Sequence, residues 1–315
     1  MKKITAIVVT YNRKKLLLEC LDALRGQTYP LHRIILIDNA STDGTREEVE
    51  QKQYTNLQYV MMEKNAGGAG GFYEGLRQAL DSDSDYVWIM DDDTIPSPDS
   101  LQELLNAEHI LREEGEDCAF LASAVYGPHG EAMNLPMLDT RREDNGYSGW
   151  YRQLHHGMVS IRAATFVSLL VPMEKLRMCG LPYKDFFIWG DDTEFTMRLS
   201  TYAGKGYFVG KSVVCHKRTN CRSLNIYNEQ NAERIGNYRY FYRNQLMRAR
   251  YYDHYAGYLR CKLRFILTVL SHLKDPHGFK KTGIVFRGML EYRKVYPHMK
   301  AFIDSQISGI KGTSV

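Results

Sequence analysis

The chain has 315 residues, of which 44% are apolar and 25% charged, so its length and composition exclude wholesale disorder and suit one large domain or two ordinary ones. Its net charge of +4 conceals a division, because residues 1–204 carry a net charge of −11 and residues 205–315 carry +15. No apolar run approaches the roughly 20 residues needed to span a bilayer, and the short apolar run Ile4–Val9 lacks the features of a secretory signal.

The first hundred residues alternate between short apolar runs and runs with helical spacing. The predicted strands are Ile4–Thr10, Arg33–Ile37, Leu57–Met61 and Tyr86–Met90. The predicted helices between them are Lys14–Arg25, Asp43–Gln51 and Gly71–Leu80. This alternation predicts an α/β fold with a doubly wound, mostly parallel sheet, in which ligands bind beyond the carboxyl ends of the strands.

The later part of the chain is less regular. The pattern predicts a helix at Ser97–Glu114, a loop or lid at 126–153 and a strand at Tyr207–Cys215. Beyond about residue 228 the pattern becomes helical. We therefore predict a catalytic domain at 1–225 and a basic helical region at 226–315 that packs on it.

Three adjacent carboxylates, Asp91, Asp92 and Asp93, follow the fourth predicted strand. They repel one another unless solvent or a divalent cation compensates their charge. Hard oxygen ligands favour Mg²⁺ or Mn²⁺, and a cation held by carboxylates completes its shell with substrate phosphates. The place of the triplet after a buried strand favours such a site over a solvated acidic turn. His216 is a candidate ligand for the same cation, although a lone histidine is more often structural.

Two further segments follow predicted strands. Asp38 can accept a hydrogen bond from a nucleotide base or ribose, while the turn that ends at Asp43 offers helix-capping side chains. The segment Asn65–Gly71 contains four glycines that permit close backbone approach, and the helix that follows presents N–H groups to an anion. The alternative for this segment is a flexible connector.

Two acids, Asp191 and Asp192, come directly after a bulky apolar run that ends at Trp189-Gly190. A carboxylate against an apolar wall has its pKa raised by desolvation and can act as a general base. The alternative is that these acids cap the helix that carries Met197 and Leu199.

Four motifs occur in a fixed order along the chain. They are Val8-Val9-Thr10-Tyr11-Asn12-Arg13, Asp38-Asn39-x-Ser41-Thr42-Asp43-Gly44-Thr45, Asp91-Asp92-Asp93 and Trp189-Gly190-Asp191-Asp192-x-Glu194-Phe195. Over roughly residues 1–220 the chain resembles the family 2 glycosyltransferases, which have the Rossmann-like GT-A fold. The glycine-rich segment Asn65–Phe72 is further similar to that of bacterial galactofuranosyltransferases, whereas related rhamnosyltransferases usually have fewer glycines there.

The resemblance implies an inverting, metal-assisted transfer from a nucleotide sugar. UDP-galactofuranose is the expected donor, and dTDP-rhamnose or another UDP-hexose is the alternative. The resemblance implies Mn²⁺ or Mg²⁺ at Asp91, Asp93 and His216, and a general base at Asp192. Asp191 is the second candidate for the base, because the doubled acid leaves the register open by one residue.

The resemblance also implies residues for donor and acceptor. Trp189 and His156 are assigned to an acceptor that is a glycan or a polyprenyl-diphosphate-linked glycan of cell-surface polysaccharide synthesis. The residues assigned to the nucleotide sugar are Thr10, Tyr11, Asn12, Arg13, Asp38, Asn65, Gly67, Gly68, Asp91 and Asp92. A non-enzymatic protein that binds nucleotides or glycans with the same fold is the competing hypothesis.

The basic third carries an apolar stripe at helical spacing. Its members are Leu259, Leu263, Ile266, Leu267, Leu270 and Leu273, with Arg260, Lys262 and Arg264 mostly off the stripe. The stripe can pack on the catalytic domain, or it can lie on an anionic membrane surface, which suits lipid-linked acceptors. Nucleic-acid binding is the least favoured interpretation and we do not expect it. The expected location is the cytoplasm, with the second interpretation placing the protein at the inner face of the cell membrane.

Overall fold

The computed structural model describes residues 1–218, 224–273 and 278–311. The strands within these residues are β1 (Ile4–Thr10), β2 (Arg33–Asp38), β3 (Leu57–Met61), β4 (Tyr86–Asp91), β5 (Thr94–Pro96), β6 (Cys118–Tyr126), β7 (Met137–Leu138), β8 (Met158–Ala163), β9 (Leu169–Pro172) and β10 (Lys205–His216). They form one mixed sheet in the order β3-β2-β1-β4-β9-β6-β10-β8-β7, and β5 pairs with β10 off this path.

The helices lie between and after these strands. They are α1 (Lys14–Arg25), α2 (Thr45–Gln51), α3 (Gly67–Leu80), α4 (Ser100–Glu113), α5 (Met173–Cys179), α6 (Asp191–Tyr202), α7 (Ala232–Tyr252), α8 (His254–Ser271), α9 (Gly278–Gln306) and α10 (Ser308–Lys311). The predicted loop at 126–153 contains only the two-residue strand β7 among regular elements. The helix predicted at Ser97–Glu114 is three residues shorter at its start.

The doubly wound sheet is confirmed. β1 is parallel to β2 and β4, and β6 is parallel to β10, while β9 runs antiparallel between β4 and β6 and joins the two groups. Because side chains of a strand alternate between faces, β1 supplies two cores. Ile7 and Val9 pack with residues of α3 and α6, whereas Ala6 and Val8 pack with residues of α1 and α4.

The topology brings distant parts of the chain to one edge of the sheet. Since β4, β6 and β10 run in the same direction, their carboxyl ends share that edge. The short strand β5 follows the acidic triplet and pairs antiparallel with the end of β10, so that His216 lies opposite Thr94. Lys217 N then donates to the carbonyl of Asp93 at 2.8 Å. This pairing places the end of β10 beside the acids that follow β4.

Helix α3 begins at Gly67, four residues earlier than predicted. A Cβ on Gly71 would lie 2.4 Å from Val9 Cγ1, and one on Gly75 would lie 2.5 Å from Ile7 Cγ2. The glycines therefore allow the helix to lie directly on β1, and the interpretation of this segment as a flexible connector is wrong.

The C-terminal helices pack on the earlier part of the chain. Tyr252 Oη donates to Glu194 Oε1 at 2.8 Å, and Leu181 N donates to Gln306 Oε1 at 3.0 Å. A third core joins Ala69 and Phe186 to side chains of α7, α8 and α9. The division of the chain at residue 225 stays a prediction. Along the described ranges, every helix is too short or too polar to cross a membrane.

The apolar stripe of α8 does not pack on the catalytic domain, so that interpretation is wrong for these side chains. The buried residues of α8 recur every fourth position, at Gly257, Cys261, Phe265 and Val269. The stripe lies on the opposite side of the helix, where Leu263, Leu267 and Leu270 are each more than half exposed. Small residues at 257 and 261 allow close packing of the inner face, and the leucines are left outside.

Candidate active site

The three carboxylates after β4 serve two different sets of partners. Asp92 is buried, and its Oδ2 accepts a hydrogen bond from Thr10 Oγ1 at 2.7 Å. Asp91 and Asp93 instead lie with His216, and one potential ligand atom from each residue lies within 4.8 Å of the others. The structure therefore brings the three predicted metal ligands together and turns the carboxylate of Asp92 toward β1.

Burial and charge act strongly on these acids. Burial raises the pKa of Asp91 well above its ordinary value, and the charges of Asp93 and Asp92 raise it further. Burial also raises the pKa of Asp92 to about 6. Burial opposes the ionisation of Asp93 as well, but His216 and Arg13 together lower its pKa, with Arg13 Nη1 at 2.7 Å from Asp93 Oδ2. A cation shared by Asp91 and Asp93 would relieve the repulsion between them.

A second residue orients His216. Its Nδ1 lies 2.9 Å from Asn134 Oδ1, in the segment predicted as a loop. Because the amide oxygen can only accept, Nδ1 donates to it, and Nε2 is the nitrogen left to face the acids. Nε2 lies 3.0 Å from Asp93 Oδ1. Asn134 therefore fixes the ring of His216 with Nε2 toward the acids.

The donor atoms fit a divalent cation. Asp93 Oδ1 is buried and accepts no hydrogen bond from the part of the chain that the structure describes. Nε2 lies 3.0 Å from this oxygen, and the two atoms repel each other if neither carries a proton. A second proton on His216, or a cation bound by both atoms, removes this repulsion. Adjacent ligands that are each about 2.1 Å from an octahedral cation lie about 3.0 Å apart. Two carboxylates and one imidazole are a donor set that Mn²⁺ or Mg²⁺ accepts.

The loops after β1 and β2 hold each other beside this cluster. Asn12, with a left-handed φ of 53°, accepts a hydrogen bond from Thr42 N at 2.7 Å and donates its own N–H to Ser41 Oγ at 2.9 Å. Asp38 is fully buried, and its two oxygens accept from Ser41 N and Tyr59 Oη. Asp38 is thus rigidly oriented by its neighbours, and its contact with the nucleotide stays a prediction.

Two other side chains lie in these loops. Asp43 contacts the starts of two helices, because its Oδ2 accepts from Lys14 N of α1 at 3.1 Å and its Oδ1 accepts from Thr45 Oγ1 of α2 at 2.5 Å. Tyr11, assigned to the nucleotide, is 44% exposed and therefore open to a ligand.

The start of α3 is held by amide side chains. Asn65 Oδ1 accepts from Gly67 N at 2.8 Å, and Asn39 Nδ2 donates to Gly67 O at 3.0 Å. Gly67 has a φ of 75°, and a Cβ there would lie 2.1 Å from Phe187 O. Gly68, in contrast, has open space where its Cβ would be. Gly67 therefore serves a backbone contact, and Gly68 is the glycine that leaves room for a ligand.

The two candidate bases differ in their surroundings. Asp191 is buried, and burial followed by the charge of Asp192 raises its pKa well above the ordinary value. Burial also raises the pKa of Asp192, against hydrogen bonds from Thr193, whose N–H is 2.6 Å from Asp192 Oδ1. The charge of Asp192 is also one of those that raise the pKa of Asp91. Asp192 therefore lies close enough to the acid cluster for its charge to act there, and its side chain is half-buried, whereas Asp191 is buried.

The backbone that enters α6 is held in conformations that side chains disfavour. Phe187 and Trp189 have φ values of 66° and 61°, each of which costs about 1–3 kcal/mol. Asn244 of α7 compensates for this strain, because its Nδ2 lies 3.1, 3.1 and 2.8 Å from the carbonyl oxygens of Phe186, Ile188 and Trp189. The helical region therefore fixes the segment that leads to both acids.

Further contacts hold the same region. Arg243 donates to the carbonyl of Asp185 at 2.7 Å. On α6 itself, Glu194 and Arg198 form an ion pair with fully buried side chains, and Arg198 also donates to the carbonyl of Cys179 at 2.7 Å. Glu194 thus anchors α6 in the fold, two and three residues after the candidate bases Asp192 and Asp191.

The two predicted acceptor residues lie in different places. Trp189 lies two residues before the helix of the candidate bases, and the centre of its ring is 4.9 Å from that of Tyr238. His156 Nε2 lies 2.9 Å from Glu114 Oε1, at the end of α4 that leads into β6. This place is the amino end of β6. Helix α4 separates it from β5, because the 14 residues of α4 span about 21 Å. The position of His156 therefore does not support the predicted contact with an acceptor at the acid cluster.

Sequence reasoning missed three residues that shape this site, namely Asn39, Asn134 and Asn244. Asn39 follows Asp38 in the second of the four motifs, and this position was the signal that could have identified it. Asn134 lies in a segment with no periodicity, and Asn244 lies in a run of aromatic and basic residues. All three act through side-chain amides that hydrogen-bond distant residues, and such contacts have no local sequence signature.

Known proteins share this chain's sequence and fold. The model of the glycosyl transferase family 2 domain matches residues 5–167. Galactofuranosyltransferase GlfT1 of Mycolicibacterium smegmatis is 36% identical over 205 residues, which are 62% of this chain and 65% of the relative. The alignment therefore spans less than two thirds of that protein's length.

Solved structures share the fold. Staphylococcus aureus TarS 1–349 in complex with UDP-GlcNAc has a TM-score of 0.59 at 17% identity, over 97% of this chain and 84% of that one. GalNAc-T7 with UDP, GalNAc and Mn²⁺ has a TM-score of 0.57 at 14% identity, over 80% of this chain and 52% of that one. At these identities the likeness establishes the fold, which is GT-A with a C-terminal helical region.

Proposed function

Because the chain belongs to the family 2 glycosyltransferases, we propose that it transfers galactofuranose from UDP-galactofuranose, with inversion, to a hydroxyl group of a glycan or lipid-linked acceptor. The observation that carries the glycosyl-transfer chemistry is the joint placement of Asp91, Asp93 and His216, with the charge of Asp192 acting on Asp91. The similarity to GlfT1 of M. smegmatis favours galactofuranose over rhamnose or another hexose.

The residues around the cluster would bind and orient the donor. Asp38 and Asn12, each fixed by hydrogen bonds from the neighbouring loop, would contact the nucleotide. Arg13 is half exposed and already lies 2.7 Å from Asp93, so that its remaining donors can reach a phosphate. UDP-GlcNAc and UDP are the ligands named for the TarS structures of the same fold, which supports a uridine diphosphate donor.

A divalent cation would be held by Asp91, Asp93 and His216. When bound, it supplies positive charge that stabilises the leaving diphosphate. Asn134 would act through His216, because its amide oxygen keeps the proton on Nδ1 and Nε2 available. Mn²⁺ in the GalNAc-T7 structure supports a cation of this class.

Asp192 would remove the proton from the acceptor hydroxyl as that oxygen attacks the anomeric carbon. The bond from the anomeric carbon to the diphosphate breaks on the opposite face, so that an α-linked donor gives a β-linked product. Burial raises the pKa of Asp192, which makes it a stronger base than an exposed aspartate. Trp189, adjacent to these acids, would stack on the acceptor sugar.

A donor panel tests this proposal. We expect UDP release from UDP-galactofuranose, in the presence of Mn²⁺ and a synthetic galactan or lipid-linked acceptor, to exceed release from UDP-galactose, UDP-glucose and dTDP-rhamnose by at least tenfold. Faster turnover of another donor would reassign the sugar and leave the reaction class intact. Binding of UDP-sugars without any nucleotide release would identify a binding protein and contradict the enzymatic proposal.

A further inference from the structure

We propose that the outer face of α8 docks on the surface of an anionic lipid bilayer. This face, here called the leucine face, consists of Leu259, Leu263, Leu267 and Leu270. Their spacings of four, four and three residues place them on one side of the helix. The exposed fractions of these side chains are 44%, 56%, 56% and 55%.

The leucine face is not needed for the internal packing of α8. The opposite side of this helix, from Gly257 through Val269, supplies the residues that α8 buries. Four partly exposed leucines side by side form a contiguous apolar patch between basic residues, and exposed apolar patches rimmed by polar residues mark interaction sites. The patch runs for about 17 Å along the helix, from Leu259 to Leu270.

Charge decides which partner fits. Arg260 and Arg264 flank the leucine face on one side and Lys262 flanks it on the other, and α8 contains no acidic residue. A bilayer that contains anionic lipids can bind both the basic side chains and the leucines. Its headgroups attract the basic side chains, while the leucines enter the boundary between the headgroups and the acyl chains. A second copy of the chain joined by its own leucine face would bring like charges together, since a two-fold interface repeats the same surface.

Vesicle sedimentation tests the proposal on the full chain. We expect retention on phosphatidylcholine vesicles that contain about one third phosphatidylglycerol, and little retention on pure phosphatidylcholine. The double variant Leu263→Gln/Leu267→Gln should bind on the order of tenfold more weakly, because two leucines no longer enter the bilayer. The variant Arg260→Gln/Arg264→Gln should lose most of the preference for anionic vesicles.

The matched control is Leu154→Gln, which removes an exposed leucine at 59% exposure from another part of the surface. It should bind vesicles as the unmodified protein does. Equal retention of the leucine-face variant and the unmodified protein would overturn the proposal. A dimer in solution that this variant dissociates would also overturn it, because the face would then join two copies. UDP release with a water-soluble acceptor should be unchanged in every variant, so a failure of docking is distinguishable from a failure of the proposed activity.

We also infer, on a different observation, that Asn244 is a positioning residue for the proposed base, and this inference rests on the proposed function. Its amide nitrogen lies within 3.1 Å of three carbonyl oxygens, those of Phe186, Ile188 and Trp189. Asn244 is 1% exposed. The acids begin two residues after the last of these carbonyls, so the amide sets the direction in which α6 presents Asp192.

The metal ligands depend on other elements, namely the ends of β4 and β10. Loss of the amide should therefore affect turnover more than donor binding. We expect Asn244→Ala to lower kcat about 100-fold, since displacement of a catalytic group by about 1 Å costs this much. The Kd of UDP with Mn²⁺ should stay within about twofold of that of the unmodified protein, because the metal site does not involve Asn244.

Two further variants keep this test interpretable. Gln245→Ala, which removes the neighbouring side chain and its contact with Arg248, should leave kcat unchanged. Asn244→Asp keeps the size of the side chain but directs oxygens at the three carbonyls, and it should lower kcat at least as much as Asn244→Ala. Equal loss of UDP binding and turnover in both Asn244 variants would show a general structural role and overturn the inference. Inactivity of the unmodified protein with every donor would instead reject the proposed function.

Discussion

Replacing Asp192 by asparagine should lower kcat by about three orders of magnitude, the size of effect that general-base catalysis usually supplies. Asparagine keeps the shape of the side chain and can still accept from Thr193, so the start of α6 should be preserved. UDP binding with Mn²⁺ should change little. The measurement is a comparison of steady-state UDP release with calorimetric UDP binding for the same preparations.

The neighbouring acid provides the matched control. Asp191 is buried, and burial and the charge of Asp192 raise its pKa well above the ordinary value, so Asp191→Asn replaces a carboxyl whose ionisation the site opposes by a neutral group of the same shape. We expect this variant to keep kcat within a factor of about three. The opposite pattern, with Asp191→Asn inactive and Asp192→Asn active, would assign the base to Asp191.

The pH dependence of turnover follows from the same assignment. A base acts in its deprotonated form, so kcat falls as the pH drops through the pKa of Asp192. Burial raises that pKa above the value of about 3.9 typical of an exposed aspartate. The acid limb of the profile should therefore begin at a higher pH than for an exposed aspartate, and this limb should be missing from the residual activity of Asp192→Asn.

Replacing Asp93 by alanine should abolish the effect of Mn²⁺ on donor binding. Asp93 supplies the buried oxygen next to His216 Nε2, and its removal leaves one carboxylate and one imidazole for the cation. We expect the Kd of UDP to be the same with and without Mn²⁺ in this variant. In the unmodified protein Mn²⁺ should strengthen binding by at least tenfold. Isothermal titration calorimetry measures both values directly.

Two further variants test which residues of this region hold the cation. Asp92→Asn should keep the Mn²⁺ effect, because Asp92 accepts from Thr10 and lies outside the ligand set. Asn134→Ala should weaken Mn²⁺ binding by 10–100-fold, the usual effect of removing the partner that orients a histidine ligand. A persistent Mn²⁺ effect in Asp93→Ala, or its loss in Asp92→Asn, would contradict the assignment of ligands.

The sequence predicts an element well when neighbouring residues determine it, and poorly when contacts with remote residues determine it. Strand β1 and helix α1 have the predicted ends, since a run rich in β-branched residues and a stripe of leucines at helical spacing are local signals. The start of α3 was misplaced because its glycines are explained by contacts with β1 and Phe187, which are remote in sequence. Packing inward and contact with a membrane stayed open for the leucines on α8, because periodicity identifies an apolar side but not what it faces.

The same distinction applies to the site. Asp91, Asp93, Asp191 and Asp192 became candidates because they follow apolar runs, and the resemblance favoured Asp192 over Asp191. His216 was a weak candidate from its own surroundings and was also assigned through the resemblance, and the pairing of β5 with β10 brings it beside Asp93. The role of Asn244 depends on where α7 docks, and its sequence neighbours contain no indication of that. The chemistry was therefore visible in the sequence, whereas the residues that orient it were not.

The amide of Asn244 also has a consequence for how the molecule is made. On the ribosome, the carboxylates and strained backbone of the proposed site emerge before the helix that holds them. Until α7 docks, the carbonyl groups of Phe186, Ile188 and Trp189 lack their shared donor, and the positive φ values of Phe187 and Trp189 are uncompensated. The nascent sheet can therefore form early, while competence for transfer arrives late, with the docking of the C-terminal helices.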